Sequence, residues 1–408
     1  MRDRGGRHRR AKGPGGPARP SRSGRVTAPP AADGVAFTGP APERLLGPLL
    51  SMLRATAPPE APGRAVGIEV WADRLAETVY AEGAMPRDFY AELGGGLAAS
   101  EDVDAPAALA ALAVALAHRD AEPLRAVHRD QVRARRGTAD EDTDQGIGRA
   151  VPVRAREIVA LNGDGVTVVV DVDQPTAPHS VSVHVDHNLM GVATDAGAGP
   201  PWTDGHSDDE GTVVAEVSLA DARARIRHAL DMAGHSPGAP GAAEMDSVRA
   251  LVERRLALLP SGGGVPARPT VTEEEMDDHV QAFLASPEAG ALDDLDRAEA
   301  GWIAELWIDH AVNDTIGGPL RVSPTLVELF GIASLPHSGG VDEATLAAAP
   351  AVLDAWIRYA ARVTDVDDRG RDEALAALAT ITPHLASPRR ATPLDRALGG
   401  LPPDTPHP

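Results

Sequence analysis

The sequence predicts an α+β protein that is mainly helical, with one small antiparallel sheet flanked by a helical N-terminal region and a helical C-terminal domain. Three observations carry this prediction. Apolar residues recur at helical spacing over residues 43 to 136 and again beyond residue 218. Between about 151 and 217 the period shortens to two and valine dominates. Within that stretch Asn162-Gly163-Asp164-Gly165 supplies a tight-turn signal. The chain has 408 residues, 43% hydrophobic and 24% charged, enough for two to three domains at roughly 150 residues each.

Taken in order, residues 1 to 40 form a basic tail. Val26 is its only bulky apolar residue between Met1 and Gly34, so it has no core to order it and is expected to be disordered. Residues 41 to 137 are a helical region: Leu45, Leu46, Leu49, Leu50 and Leu53 share a helix face, Val70, Leu75 and Val79 follow, and Ala107 to Ala117 is a strong helix former. Its last helix lines up Arg125, Arg129, Arg133 and Arg136, either as a docking stripe for phosphates or acidic partners or as a solvated face. An acidic linker spans 138 to 150, and residues 151 to 259 hold the sheet and its helices. Arg156 to Leu161 and Val166 to Asp173 make a hairpin, Ser180 to Asp186 is the next strand, and Gly191 to Thr194 and Thr212 to Val217 are further strands. Matching the apolar faces of the second and third strands calls for pairs such as Asp171 with Ser182 and Thr167 with Asp186. Ser218 with Asp221 caps a helix whose buried stripe is Leu219, Ala222, Ile226, Ala229 and Ala233, and a second helix covers Met245 to Leu259.

The Gly/Pro-rich segment 260 to 271 is a linker, and 272 to 387 is a helical domain. Thr272 with Glu275 caps its first helix, a longer one spans Leu292 to Val312, Ser323-Pro324 starts another, and two amphipathic runs cover Asp342 to Val363 and Arg371 to Leu385. Residues 388 to 408 read as a second disordered tail.

Composition removes whole classes of chemistry. With no cysteine there are no disulfides, thiolate metal sites or cysteine nucleophiles. Lys12 is the one lysine, so Schiff-base chemistry and Walker-type phosphate loops have no residue in the folded body. No Gly-x-Ser-x-Gly elbow or Gly-x-Gly-x-x-Gly turn is found. No stretch approaches the ~20 apolar residues of a membrane span, and Arg9-Arg10 is followed by no apolar signal region, which points to the cytoplasm. Net charge is −21, yet residues 1 to 25 hold nine basic side chains against Asp3, leaving 30 basic and 59 acidic residues in the remainder. Such a body repels phosphate backbones, whereas the tail suits a weak, salt-sensitive contact with nucleic acid or an acidic partner.

Two segments carry a resemblance. Val183-His184-Val185-Asp186-His187-Asn188-Leu189 with Gly191, and Pro319-Leu320-Arg321-Val322-Ser323-Pro324 leading to Val327-Glu328-Leu329-Phe330, together with Trp356, resemble a signature in a family of hypothetical proteins from high-GC bacteria. The likeness runs over residues 154 to 387, departs from the family in the loop Gly331 to Gly340, and brings no activity with it.

Two constellations are candidates for chemistry. His179, His184 and Asp186, with Asp171 on the neighbouring strand, supply imidazole and carboxylate ligands of the kind Zn²⁺ or Mn²⁺ takes. Asp173 and His187 stand beside them, although Asp186-His187-Asn188 equally suits a solvated turn. On the helix Leu292 to Val312, Glu299, His310 and Asn313 share a stripe with Trp302, an arrangement suited to acid–base work or to a hydrogen-bonded core histidine. The acidic loop Asp204 to Glu210 lacks the residue order of an EF-hand. The favoured expectation is a non-enzymatic protein-interaction or scaffold module with a protein partner, using no cofactor and contacting through Leu329, Phe330 and Trp356 if these are exposed. The alternatives are a metal-dependent hydrolase on the His184/Asp186 sheet face and an accessory protein tethered to nucleic acid by its basic tail.

Overall fold

Helix signals in this chain are local and strong. The computed structural model describes residues 42–385 apart from Pro62, 83–84, Pro86, 117–120, 136–146, Leu161, Thr176, 203–211 and 236–241. The basic tail, most of the acidic linker, Arg136, the acidic loop at 204–210 and the tail from 388 lie outside the described residues. The described residues all belong to one compact unit. They form thirteen α-helices and a single five-stranded antiparallel sheet, the mainly helical α+β fold the sequence predicts. No helix among them is long and apolar enough to cross a membrane.

Helices α1 (Pro42–Thr56), α2 (Arg64–Glu82), α3 (Arg87–Ala99), α4 (Ala105–Ala115) and α5 (Glu122–Arg135) surround one core. The alanine-rich α4 is its buried centre, because alanine lets neighbouring helices approach closely. On α5 the arginine stripe is spent on ion pairs: Arg125 and Arg129 both bind Glu122, and Arg133 binds Asp130.

Strands β1 (Val151–Ala160), β2 (Gly165–Asp173), β3 (His179–Asp186), β4 (Val192–Gly199) and β5 (Thr212–Val217) line up in the order β4-β3-β2-β1-β5. Asn162 to Asp164 turn β1 into β2, with Gly163 at φ +76° where a side chain would be strained. The β2–β3 register differs from the predicted one by two residues, pairing Asp171 with Ser180 and Thr167 with His184. A two-residue shift keeps every side chain on its predicted face. It also sets Gly165 opposite Asp186, where a Cβ at 165 would lie 2.8 Å from the His184 ring. The valine face of β2 and β3 is covered by α6 (Leu219–Gly234) and α7 (Ala242–Ala257), forming a second core. Ser218 accepts the Asp221 amide at the start of α6 as its sequence predicts.

The third core is built by α8 (Glu273–Leu284), the short α9 (Pro287–Gly290), α10 (Asp294–Asp309), α11 (Pro324–Leu329), α12 (Glu343–Thr364) and α13 (Asp368–Leu385). Thr272 and Glu275 form the complete capping box. The helix expected to run unbroken to Val312 instead widens into a π turn over His310–Asp314, and α11 widens in the same way over Phe330–Ser334. The proposed contact surface is corrected here. Phe330 and Trp356 are fully buried and Leu329 is half-buried. The physical reason is volume: alanine-rich α12 leaves space that only large rings fill. Phe283 meets Trp356 edge-on at 5.0 Å between centroids, and Trp307 meets Phe330 at 5.1 Å.

Candidate functional site

The four candidate metal ligands do not converge. His179 pairs with Val172 on the helix-covered face of the sheet, whereas Asp171, His184 and Asp186 lie on the other. The His179 Nδ1–H donates to the Ala177 carbonyl at 2.9 Å, and Nε2 accepts from Arg255 Nε at 3.1 Å, so neither nitrogen is left for a metal. Burial, the largest influence, holds its pKa below the usual histidine value. Asp171 is occupied by Arg156 Nη2 at 2.7 Å and the Ser180 hydroxyl at 2.6 Å. His184 Nδ1 shares a hydrogen bond with Thr167 Oγ1 at 3.0 Å, and Asp186 accepts the Asn188 amide at 2.7 Å in a side-chain-closed turn. His187 sits in that turn with Nδ1 against the Gly163 carbonyl, and burial lowers its pKa too. Among the described residues no group of three or more histidine or acidic side chains is placed to hold a metal ion.

The helical trio is likewise dispersed: the π turn over His310–Asp314 changes the helical phase between His310 and Asn313, and each of the three side chains has a different partner. Glu299 accepts from Thr345 Oγ1, Asn313 donates to Asp309, and His310 Nδ1 contacts both Asp314 Oδ2 at 2.9 Å and Ser334 Oγ at 2.8 Å. Serine and carboxylate share one ring nitrogen, so no relay runs through the imidazole from base to nucleophile. Burial again depresses this histidine's pKa.

Two buried polar seams went unpredicted. In the first, Arg255 of α7, 2% exposed, binds Glu69 of α2, 1% exposed, at 2.9 Å. Gln174 bridges the same carboxylate and Arg255, and Arg254 adds contacts to Glu69 and Asp73. In the second, Arg321 donates to the Gly163 carbonyl at 2.8 Å and to the Asn188 side-chain oxygen at 2.7 Å, while Asp164 accepts from Asn188 Nδ2 and Ser323. These seams join helical region to sheet and sheet to helical domain.

Among the described residues the sheet has two edges, β4, whose side chains are largely covered, and β5, whose side chains are mostly exposed. Strand β5 pairs with β1 from Ala155↔Val217 to Ala160↔Thr212, and no strand lies beyond it among the described residues. Among the described residues, alternate N–H and C=O groups of β5 from Val213 onward therefore point outward without a ladder partner. Its sequence, Thr212-Val213-Val214-Ala215-Glu216-Val217, favours strand and carries none of the usual edge protection: no proline, no lysine and a single charge. Arg154 Nη1 lies 3.7 Å from that charge, Glu216. Val213 is 50% and Val214 36% exposed, and Val151 and Val153, at the end of β1 that extends past β5, are each 57% exposed. Pro152 removes a donor from that end of β1, whereas β5 contains no proline. Its β-branched residues Thr212, Val213, Val214 and Val217 fit the strand expected there, whereas its edge position is set by sheet order, which local patterning does not encode.

No protein-family model, no curated protein and no solved structure matches the chain.

Proposed function

We propose that this chain is a non-enzymatic protein-interaction module of the cytoplasm, whose docking element is the free edge of β5 and whose partner supplies an extended segment as a sixth strand. One observation carries the reading: an edge strand with no proline or bulge and Glu216 as its single charge exposes Val213 and Val214 on an edge that no other strand among the described residues pairs. In such docking the main chain supplies affinity, and alternate side chains against Val213 and Val214 supply selectivity. The metal-ligand candidates His179 and His184 and the acid–base candidate His310 each have Nδ1 hydrogen-bonded within the fold and do not meet one another, which supports a binding rather than a chemical role.

The test is a random-dodecamer display screen against the full chain, with Val214→Lys as comparator. Enriched sequences rich in alternating β-branched residues are expected, and their synthetic peptides should lose about tenfold or more in affinity on Val214→Lys but not on Val103→Lys, an exposed valine away from the sheet. Equal enrichment on the comparator overturns the reading.

A further inference from the structure

A cavity of about 780 Å³ opens between α2, the adjoining ends of β3 and β4, and Val248 of α7. Its volume lies within the range of small-molecule sites. The walls are small and apolar: Gly67 and Val70 on one face of α2, Ala198 on β4, and the Pro200-Pro201 turn. Two of the three ionisable residues in its lining are already committed. Arg64 donates to Asp104 and to the Ala57 carbonyl. His179 has both ring nitrogens engaged. The third, Arg74, continues the Gly67–Val70 face; its residue is exposed, and its guanidinium makes no hydrogen bond or ion pair with the described residues.

We propose that this cavity binds an amphipathic carboxylate, its aliphatic body along the Gly67/Val70/Ala198 wall and its head on Arg74. A guanidinium offers a carboxylate two parallel donors. A single uncommitted cation among the described lining residues, in a chain of net charge −21, suits a monoanion and disfavours polyphosphates, which need several. The apolar wall supplies the remaining affinity by burying methylene groups. This site is separate from the β5 edge, and neither reading depends on the other.

Calorimetric titration of the full chain with dodecanoate, dodecan-1-ol and dodecyltrimethylammonium, each below its micellar concentration, tests the proposal. Saturable one-to-one binding of dodecanoate is expected, with the alcohol weaker by about tenfold or more and the cation weaker still. Because Arg74 has no partner to strand among the described residues, Arg74→Ala should fold normally and bind dodecanoate no better than the alcohol, while Arg74→Lys retains part of the difference. Val248→Trp, which places an indole in the cavity, should remove binding of both. Absence of saturable dodecanoate binding, equal affinity for acid and alcohol, or indifference to Arg74→Ala overturns the proposal.

Discussion

Arg321 donates to the side-chain oxygen of Asn188 at 2.7 Å, joining two segments that are 133 residues apart. Asn188 in turn donates to Asp164, so the β1–β2 turn, the β3–β4 turn and the approach to α11 close on one another. Burial lowers the pKa of Arg321, and the nearby Asp164 opposes that shift. A double-mutant cycle on Asn188→Ala and Arg321→Ala should therefore show coupling of about 1–3 kcal/mol in urea unfolding. Strict additivity would mean the contact does not join the two parts.

The residues behind the sequence resemblance, Val183 to Gly191 and Pro319 to Phe330, meet at this joint. Each segment was visible as a motif, yet their meeting was not, because the pairing of Asn188 with Arg321 is a long-range choice made by packing. What could be read directly is local: the Asn162–Gly165 turn, the valine alternation of β2 and β3, and the caps at Ser218, Thr272 and Ser323. The π turns at His310 and Phe330 were not legible, since a shift of helical hydrogen bonds depends on the neighbours across the core. For the same reason the spacing of Glu299, His310 and Asn313 suggested a convergence that the fold does not make.

Glu69 is buried against Arg255, and removing one partner strands the other. Glu69→Gln should cost about 3–5 kcal/mol, whereas replacing Glu69 and Arg255 together with methionine should cost far less. Thermal and urea unfolding of the three proteins measure this. A double variant as unstable as the single one would show that the seam is not a mutually compensated pair.

Burial places the pKa values of His179, His187 and His310 below the ordinary value of 6.5. The unfolded chain then binds protons that the folded chain refuses, so this part of the stability is complete above about pH 6.5 and declines as the medium is acidified below it. Each such histidine contributes a slope of up to about 1.4 kcal/mol per pH unit. At His179 the facing charges are Arg255 and Glu69, and protonation would force two cations together. His179→Gln keeps an acceptor for Arg255 without the titration. Its urea midpoint should fall less between pH 8 and pH 5 than that of the wild type, and an unchanged pH dependence would contradict this account of the seam.

The separation of His179 from His184, Asp186 and Asp171 predicts indifference to chelation. Dialysis of the full chain against EDTA should leave the melting temperature unchanged, and His184→Ala should leave metal content unaltered. A fall of several degrees on chelation that Zn²⁺ or Mn²⁺ reverses would restore the sheet face as a metal centre.

Pairing at β5 is tested most directly by hydrogen–deuterium exchange of the full chain, read over residues 212–217 with and without a saturating peptide from the display screen. Outward amides of β5 should exchange quickly in the free chain and become protected when the peptide is bound, while α10 and α12 stay unchanged. Tight binding that leaves residues 212–217 exchanging as before would place the partner elsewhere and contradict the edge-strand reading.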